Sequence, residues 1–325
     1  MNFNKIFKSF FSSVKTFIKN NSGILIALFI MCVIISIANP IFLTQRNLMN
    51  VLRQISTNFF LATGMTLVMI SGGIDLTVGS VIAVVGVVSG YLSQTGMPLF
   101  FVLLLSLALG VAFGAINGGI ISRTALAPFI VTLAMMSVLR GAAYIITGGT
   151  TVRIDNQSFI NFGIGYFLGI PFPVLYMIII MIVTYIILNR TALGRHIYAV
   201  GGNSTAAVFS GIKMARVKMF VYLFSGFMAA LSGITLAARS YSGNPIFGNG
   251  AEMDAIAACA LGGVSLAGGV GSVGGMVIGT LIIGVLNNGL NLMGVDSFWQ
   301  TSLKGLIILA AVYVDYIREA KKTSN

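Results

Sequence analysis

The stretch RTALGRHIYAVGGNSTAAVFSGIKMARVK, residues 190–218, is the longest strongly polar run lying between two apolar ones. It holds Arg190, Arg195, Lys213, Arg216 and Lys218 and no acidic residue. Lys and Arg resist translocation, so in a membrane protein such a loop is expected on the cytoplasmic side. Its middle reads as a short capped helix. Asn203 or Ser204 offers a side-chain oxygen to the unpaired amides of a first turn. Thr205 to Ser210 supply roughly two turns, and Gly211 suits the left-handed residue that ends a helix. A helix this short is not stable alone in water, so it must pack on its own protein or on a partner.

Outward from that loop the chain is apolar. Of 325 residues, 57% are hydrophobic and 8% charged, too few charges to clothe a water-soluble fold. Apolar runs lie at 22–38, 55–70, 76–93, 98–121, 126–147, 171–188, 219–238, 255–268, 273–293 and 298–314. Backbone polar groups go unpaired in hydrocarbon unless the chain is helical, so the fold expected is an all-α polytopic membrane protein of about ten segments. The runs at 76–93 and 255–268 are short or glycine-rich and read as half-helices buried in protein. Residues 1–21 interleave Lys5, Lys8, Lys15 and Lys19 with Phe and Ile, as an amphipathic helix on the cytoplasmic face does. The domain division is then 1–21 as an N-terminal segment, 22–316 as one transmembrane domain and 317–325 as a tail.

The net charge of +12 follows this topology rather than nucleic-acid binding. With both termini inside, cytoplasmic segments hold Lys5, Lys8, Lys15, Lys19, Arg123, Arg190, Arg195, Lys213, Arg216, Lys218, Arg318, Lys321 and Lys322, against Arg46, Arg53, Arg153 and Arg239 outside. That asymmetry supports the orientation.

No catalytic set is present. His196 is the only histidine, no carboxylates are grouped, and no GxxxxGK[ST] occurs, so metal, triad and P-loop readings fail. Cys32 and Cys259 sit in apolar runs as small buried side chains. If the chain moves a solute uphill, the energy comes from an ion gradient or from another subunit. Asp75, Arg140, Lys304, Glu252 and Asp254 are the charges near membrane depth. Asp75 reads equally as a cap for a helix beginning near Leu76 and as a transport residue. Glu252 and Asp254 read as first-turn residues. Asn117, Asn287, Asn288 and Asn291 suit sugar hydroxyls and also hold helices together, the latter being the safer reading for any one of them.

Glycine is patterned. Gly110, Gly114 and Gly118 form tandem GxxxG steps, and Gly275 with Gly279 form another, the spacing of close helix contacts. Gly72-Gly73-Ile74-Asp75-Leu76-Thr77-Val78-Gly79 and Gly262-Gly263-Val264-Ser265-Leu266-Ala267-Gly268-Gly269 share GG-[IV]-x-L-x-x-G. Paired interruptions in two halves point to a transport path.

The segments SGGIDLTVGS (71–80), TALGRHIYAVGGN (191–203), SGIKMARVK (210–218), AEMDAIAACALGGVSLAGGVGSVGG (251–275) and GVLNNGLNLMGV (284–295) resemble those of permease subunits of bacterial ABC importers for ribose and related monosaccharides, within the branched-chain amino acid/ribose permease family. The resemblance covers nearly the whole chain from about residue 23. It implies an inner-membrane permease acting as a homodimer or paired permease, with two cytoplasmic ATPase subunits or halves and an extracytoplasmic sugar-binding protein as partners. ATP and magnesium would be bound by the ATPase, and no cofactor by this chain. It also implies that 203–212 holds the helix that docks in the ATPase, with Asn203, Ser204, Ala206, Ala207, Phe209, Ser210, Gly211 and Ile212 as coupling residues. Ala206 and Ala207 are small enough to approach a groove, and Phe209 is the anchor. Two positions depart from the ribose-type pattern: Ser204 stands where an acidic residue is common, and Val208 where a basic one is.

Asp75, Asn117, Asn287, Asn288 and Asn291 are the pathway candidates, with the Asp75 break and the 287–291 asparagines expected near a dimer axis. The rivals are a branched-chain amino acid or nucleoside importer, an ion-coupled carrier acting alone, and a channel.

Overall fold

A computed structural model of the chain describes residues 21–323; the amphipathic reading of the N-terminal segment falls almost wholly outside them. The elements in order are α1 (Ser22–Ala38), α2 (Gln45–Ile70), α3 (Val78–Gln94), α4 (Leu99–Arg123), α5 (Pro128–Thr147), β1 (Val152–Arg153), α6 (Gln157–Ile164), β2 (Tyr166–Phe167), β3 (Ile170–Pro171), α7 (Phe172–Arg190), α8 (Ala192–Gly202), α9 (Ser204–Phe209), α10 (Met214–Arg239), β4 (Ser242–Gly243), α11 (Ala251–Leu261), α12 (Val273–Leu292) and α13 (Ser297–Thr323). Helices α4, α5, α7, α10 and α12 are long and apolar enough to cross a membrane, and α1 and α3 are shorter apolar helices. Each expected apolar run falls on a helix, and the fold is all-α and polytopic.

Three boundaries differ from expectation. Helix α2 starts ten residues ahead of the apolar run at 55–70, because Thr44 caps it by accepting from the Asn47 amide at 3.4 Å. The run at 255–268 is helical only to Leu261, and residues 262–272 form the break. The loop 190–218 is mostly helical: α8 precedes the short helix and is capped by Thr191, whose hydroxyl oxygen accepts from the Gly194 amide at 3.1 Å. The four two-residue strands, each too short for a sequence signal, pair as β1–β4 and β2–β3.

Helix α10 is the centre of the bundle, packed against α2, α3, α4 and α6. The tandem GxxxG face of α4 meets it. A Cβ at Gly114 would collide with the Tyr222 carbonyl, and one at Gly110 would lie 2.6 Å from the Gly226 carbonyl oxygen. Gly275 and Gly279 of α12 abut Gly262 and Ala258 in the same way. By contrast α5 and α7 leave Ile130, Val138, Ile145, Ile179 and Ile182 exposed, as surfaces solvated by lipid do.

The helices that lead into the two glycine breaks end in one geometry, although the second break is longer and adds left-handed Gly268 and Gly269. Helix α2 ends with Gly72 N–H donating to the Met69 carbonyl and Gly73 N–H to Val68. Helix α11 ends with Gly263 donating to Ala260 and Val264 to Cys259. The left-handed residues are Gly72 at φ +80° and Gly263 at φ +77°. The equivalent glycines are thus Gly72 and Gly263, one step off the alignment of the shared pattern. Both helices run in the same sense: Cys259 contacts Ala62 and Thr66, and Gly269 reaches Ile70.

Candidate functional site

At the end of the bundle that carries α8 and α9, both breaks and the basic loop converge on the C-terminus of α2. Gly269 N–H donates to the Ile70 carbonyl at 2.8 Å. Gly201 of α8 packs so closely that a Cβ there would collide with the Ile70 oxygen and lie 2.7 Å from the Gly269 nitrogen. A Cβ at Gly268 would lie 3.0 Å from the Gly72 Cα. Tyr198 closes the junction by donating to the Gly271 carbonyl at 2.9 Å. Its hydroxyl is pushed up by burial and so stays protonated as a donor. Backbone touches backbone at this joint because no side chain intervenes.

The joint presents α9. Asn203 caps it, its side-chain oxygen accepting from the Ala206 amide at 2.9 Å. Gly211, at φ +80°, ends it, and Ile212 N–H closes back onto the Ala207 carbonyl at 3.0 Å. Ser204, Ala206, Val208, Phe209 and Ser210 are exposed, Phe209 at 87%, and Ile212 is partly covered. Ala207 differs from expectation: it is buried, turned toward its own protein, because a two-turn helix held at both ends keeps one face inward. His196 is exposed on α8.

Asp75 lies within the first break, buried. Its Oδ1 accepts from the Thr77 amide at 3.0 Å and from the Thr77 hydroxyl, and Oδ2 accepts from Ser225 of α10 at 2.7 Å. Asn117 of α4 donates to Thr77 Oγ1 at 3.0 Å. Helix α3 begins at Val78, so Asp75 orders the turn ahead of the helix rather than its first turn. It joins three elements, which is a positioning geometry.

The asparagines of α12 divide. Asn288 pairs reciprocally with Asn47 of α2 at 3.0 Å. Asn287 donates to Asp254 at 3.3 Å, which also holds Lys304 at 2.9 Å. Asn291 is exposed and accepts from Gln300 at 2.9 Å. These amides therefore bind helix to helix, and the Asp75 network is separate from theirs. Glu252 and Asp254 stand in the first turn of α11, as expected. Arg140 turns into protein, donating to the Pro245 and Phe247 carbonyls at 2.6 and 2.8 Å.

At the opposite end of α2 lies a recess of about 510 Å³ lined by Asn50, Arg53, Gln54, Tyr166, Arg239 and Tyr241. It shares Asn50, Arg53 and Tyr166 with a second recess of about 660 Å³ that adds Gln45 and Arg46. Sequence reading placed these arginines only as topology markers. Arg46 and Arg53, seven apart, share a face of α2, which the expected run at 55–70 did not reach; Tyr166, Arg239 and Tyr241 reach the recess only through folding.

Residues 47–312 match the family described as branched-chain amino acid transport system / permease component. The chain is 44% identical to the ribose import permease protein RbsC of Bacillus subtilis (strain 168) over 300 residues, 92% of this chain and 93% of that one. It is 45% identical to RbsC of Escherichia coli (strain K12) over 295 residues, 90% and 92% of the two. It is 36% identical to the L-arabinose ABC transporter permease protein AraH of Azospirillum brasilense over 303 residues, 93% and 89% of the two. No solved structure matches the chain. A matched region this extensive, on a polytopic helical fold whose two glycine breaks meet under an exposed short helix, makes the chain a member of that permease family.

Proposed function

We propose that this chain is the membrane-spanning subunit of an ATP-driven, binding-protein-dependent importer for a monosaccharide, ribose or a similar sugar. It does no chemistry of its own. A second copy completes the pathway, a cytoplasmic ATPase supplies ATP and magnesium, and an extracytoplasmic protein delivers the sugar. Both termini and residues 190–218 face the cytoplasm, as the basic-residue asymmetry supports.

The observation that carries this reading is α9: a capped helix of six residues whose apolar Phe209 is bare to solvent, seated on a joint that touches α2. A short helix with an exposed aromatic anchor suits a groove on another protein. The similarity to ribose and arabinose permeases supports the sugar.

The test is uptake of labelled ribose, xylose and leucine by cells expressing this chain with the ATPase and secreted binding protein encoded beside it. Ribose or xylose uptake that stops without the ATPase is the expected result. Leucine uptake alone would move the substrate to branched-chain amino acids. Transport by the purified chain alone in liposomes, driven by an ion gradient, would establish a secondary carrier instead.

A further inference from the structure

At the end of the bundle that carries α8 and α9, helices α4 and α10 form a surface of mixed character. The two helices run antiparallel, with Gly110 against Ala230 and Gly118 against Met219. That brings Arg123, in the last turn of α4, beside Arg216, in the first turn of α10. Both line a recess of about 350 Å³, together with Ser122, Met219, Phe220 and Leu223. No acidic residue lines it. Both arginines are exposed, and among the described residues neither forms an ion pair or a side-chain hydrogen bond within the chain. Arg216 also stands at the positive end of its own helix, where a cation is unfavourable. Two like charges thus share one recess with no counter-charge from the chain itself.

We propose that this recess binds the headgroup of an anionic phospholipid, with an acyl chain lying along α10. The wall next to the arginines has the geometry a lipid needs. Met219, Phe220 and Leu223 follow Arg216 by three, four and seven residues, so all four share one helix face. Leu223 lies about 10 Å from Arg216 along the axis by helical rise, toward the middle of the span. Phe224 and Phe227 continue the stripe: between residues 219 and 228 only Met219, Phe220, Leu223, Phe224 and Phe227 are not buried. Phe220 and Phe224 stack with ring centres 6.0 Å apart, which makes the stripe one continuous apolar track. In a polytopic protein such a track meets hydrocarbon, and the cations at its end meet phosphate. Acidic side chains of a soluble protein would answer the charge and leave the track unused. Charge and track joined in one recess fit a molecule that carries both an anion and an acyl chain.

The test is native mass spectrometry of the full-length chain in detergent, titrated with phosphatidylglycerol and with phosphatidylcholine of the same acyl chains. The parent is expected to hold phosphatidylglycerol more tightly. Arg123→Gln and Arg216→Gln are each expected to weaken phosphatidylglycerol about fivefold, and the double variant more, with phosphatidylcholine unmoved. Arg195→Gln removes another exposed charge from the same end; it is the control and is expected to match the parent. Phe220→Ala leaves both charges and is expected to weaken phosphatidylglycerol as well. Melting temperatures of the arginine variants should equal the parent's, which separates lost binding from lost fold. Equal affinity of the parent for the two lipids, or unchanged phosphatidylglycerol affinity in the double variant, overturns the site. An equal loss in Arg195→Gln reduces the effect to net charge and overturns it too. Displacement of the lipid by glycerol 3-phosphate at equal concentration would make this a site for a soluble phosphate and overturn the lipid. A double variant that keeps its lipid but no longer co-purifies with the ATPase would assign the recess to a protein interface instead.

Discussion

The two ends of α2 are built on opposite principles. At its C-terminus, Ile70 is gripped by Gly201 and Gly269 through bare backbone, with no room for a methyl group. About 25 Å away by helical rise, its N-terminal third opens into a charged recess with space to spare. Close-packed contacts transmit displacement because they do not yield, whereas the recess holds two arginines, Arg53 and Arg239, around open space. One helix thus joins a roomy, positively charged recess to a joint with no slack.

The sharpest way to break this comparison is to put one carbon into the joint. Gly201→Ala places its Cβ against the Ile70 carbonyl, backbone that cannot swing aside. Overpacking a tight contact costs roughly 1–3 kcal/mol, and this site belongs at the top of that range. The expected outcome, read by thermal unfolding of the detergent-solubilised protein and by sugar uptake, is a marked loss of stability and of transport together. A variant that keeps the parent's melting temperature and uptake would mean the joint is looser than its distances state.

The joint was only half legible in the sequence. Gly72 and the 262–269 glycines stood out as paired breaks because two copies of a pattern sat where apolar runs failed. Their convergence on Gly201 did not, since α8 has no long apolar run and nothing local links residue 201 to residue 70. The choice between the two readings of the asparagines was illegible for a related reason. Helical spacing puts Asn287 and Asn291 on one side of α12, but whether an amide meets a sugar or another helix depends on its neighbours. Here those are Asp254 and Gln300 for these two, and Asn47 for Asn288. The ten apolar runs needed no such long-range knowledge, since each helix in lipid satisfies its own backbone.

Asp75 lies between the two ends and gives the next effect. Its carboxylate accepts from Thr77 and from Ser225, so Asp75→Ala strands buried donors on α10 and on the turn before α3. Each unsatisfied buried group costs about 1–3 kcal/mol. Asp75→Asn retains the acceptor toward Thr77 and is expected to be milder, inserting normally while transport falls. Measuring inserted protein and uptake for the pair separates structure from function. Normal transport by Asp75→Asn would remove the carboxylate from the pathway argument.

Gly211 is a counterpart to Gly201. It needs a left-handed backbone, φ +80°, but a Cβ there meets nothing within 4 Å. Gly211→Ala should cost only the conformational penalty, about 1–2 kcal/mol, localised to the end of α9. Hydrogen exchange at Ser210 and Ile212 should quicken while the joint stays protected. Equal loss of protection at Gly201 and Gly269 would show that α9 and the joint are one cooperative unit.

The smallest effect on the fold should come from Phe209→Asp. The ring is 87% exposed and packs on little of its own chain, and substitutions of that kind usually shift stability by no more than about 0.5 kcal/mol. Ala207→Trp, one face away, is no equivalent probe. Ala207 is buried, so a tryptophan there would damage the chain's own packing before it touched any partner. If α9 is a docking helix, Phe209→Asp places a charge where a groove expects a ring. The ATPase should then fail to co-purify, or should stay bound with hydrolysis no longer stimulated by loaded binding protein. Insertion and melting temperature should match the parent, because those rest on the apolar helices. Wild-type coupling in this variant would leave α9 a solvated connector, and the drive from the ATPase would have to enter through the breaks at 71–76 or 262–272 instead.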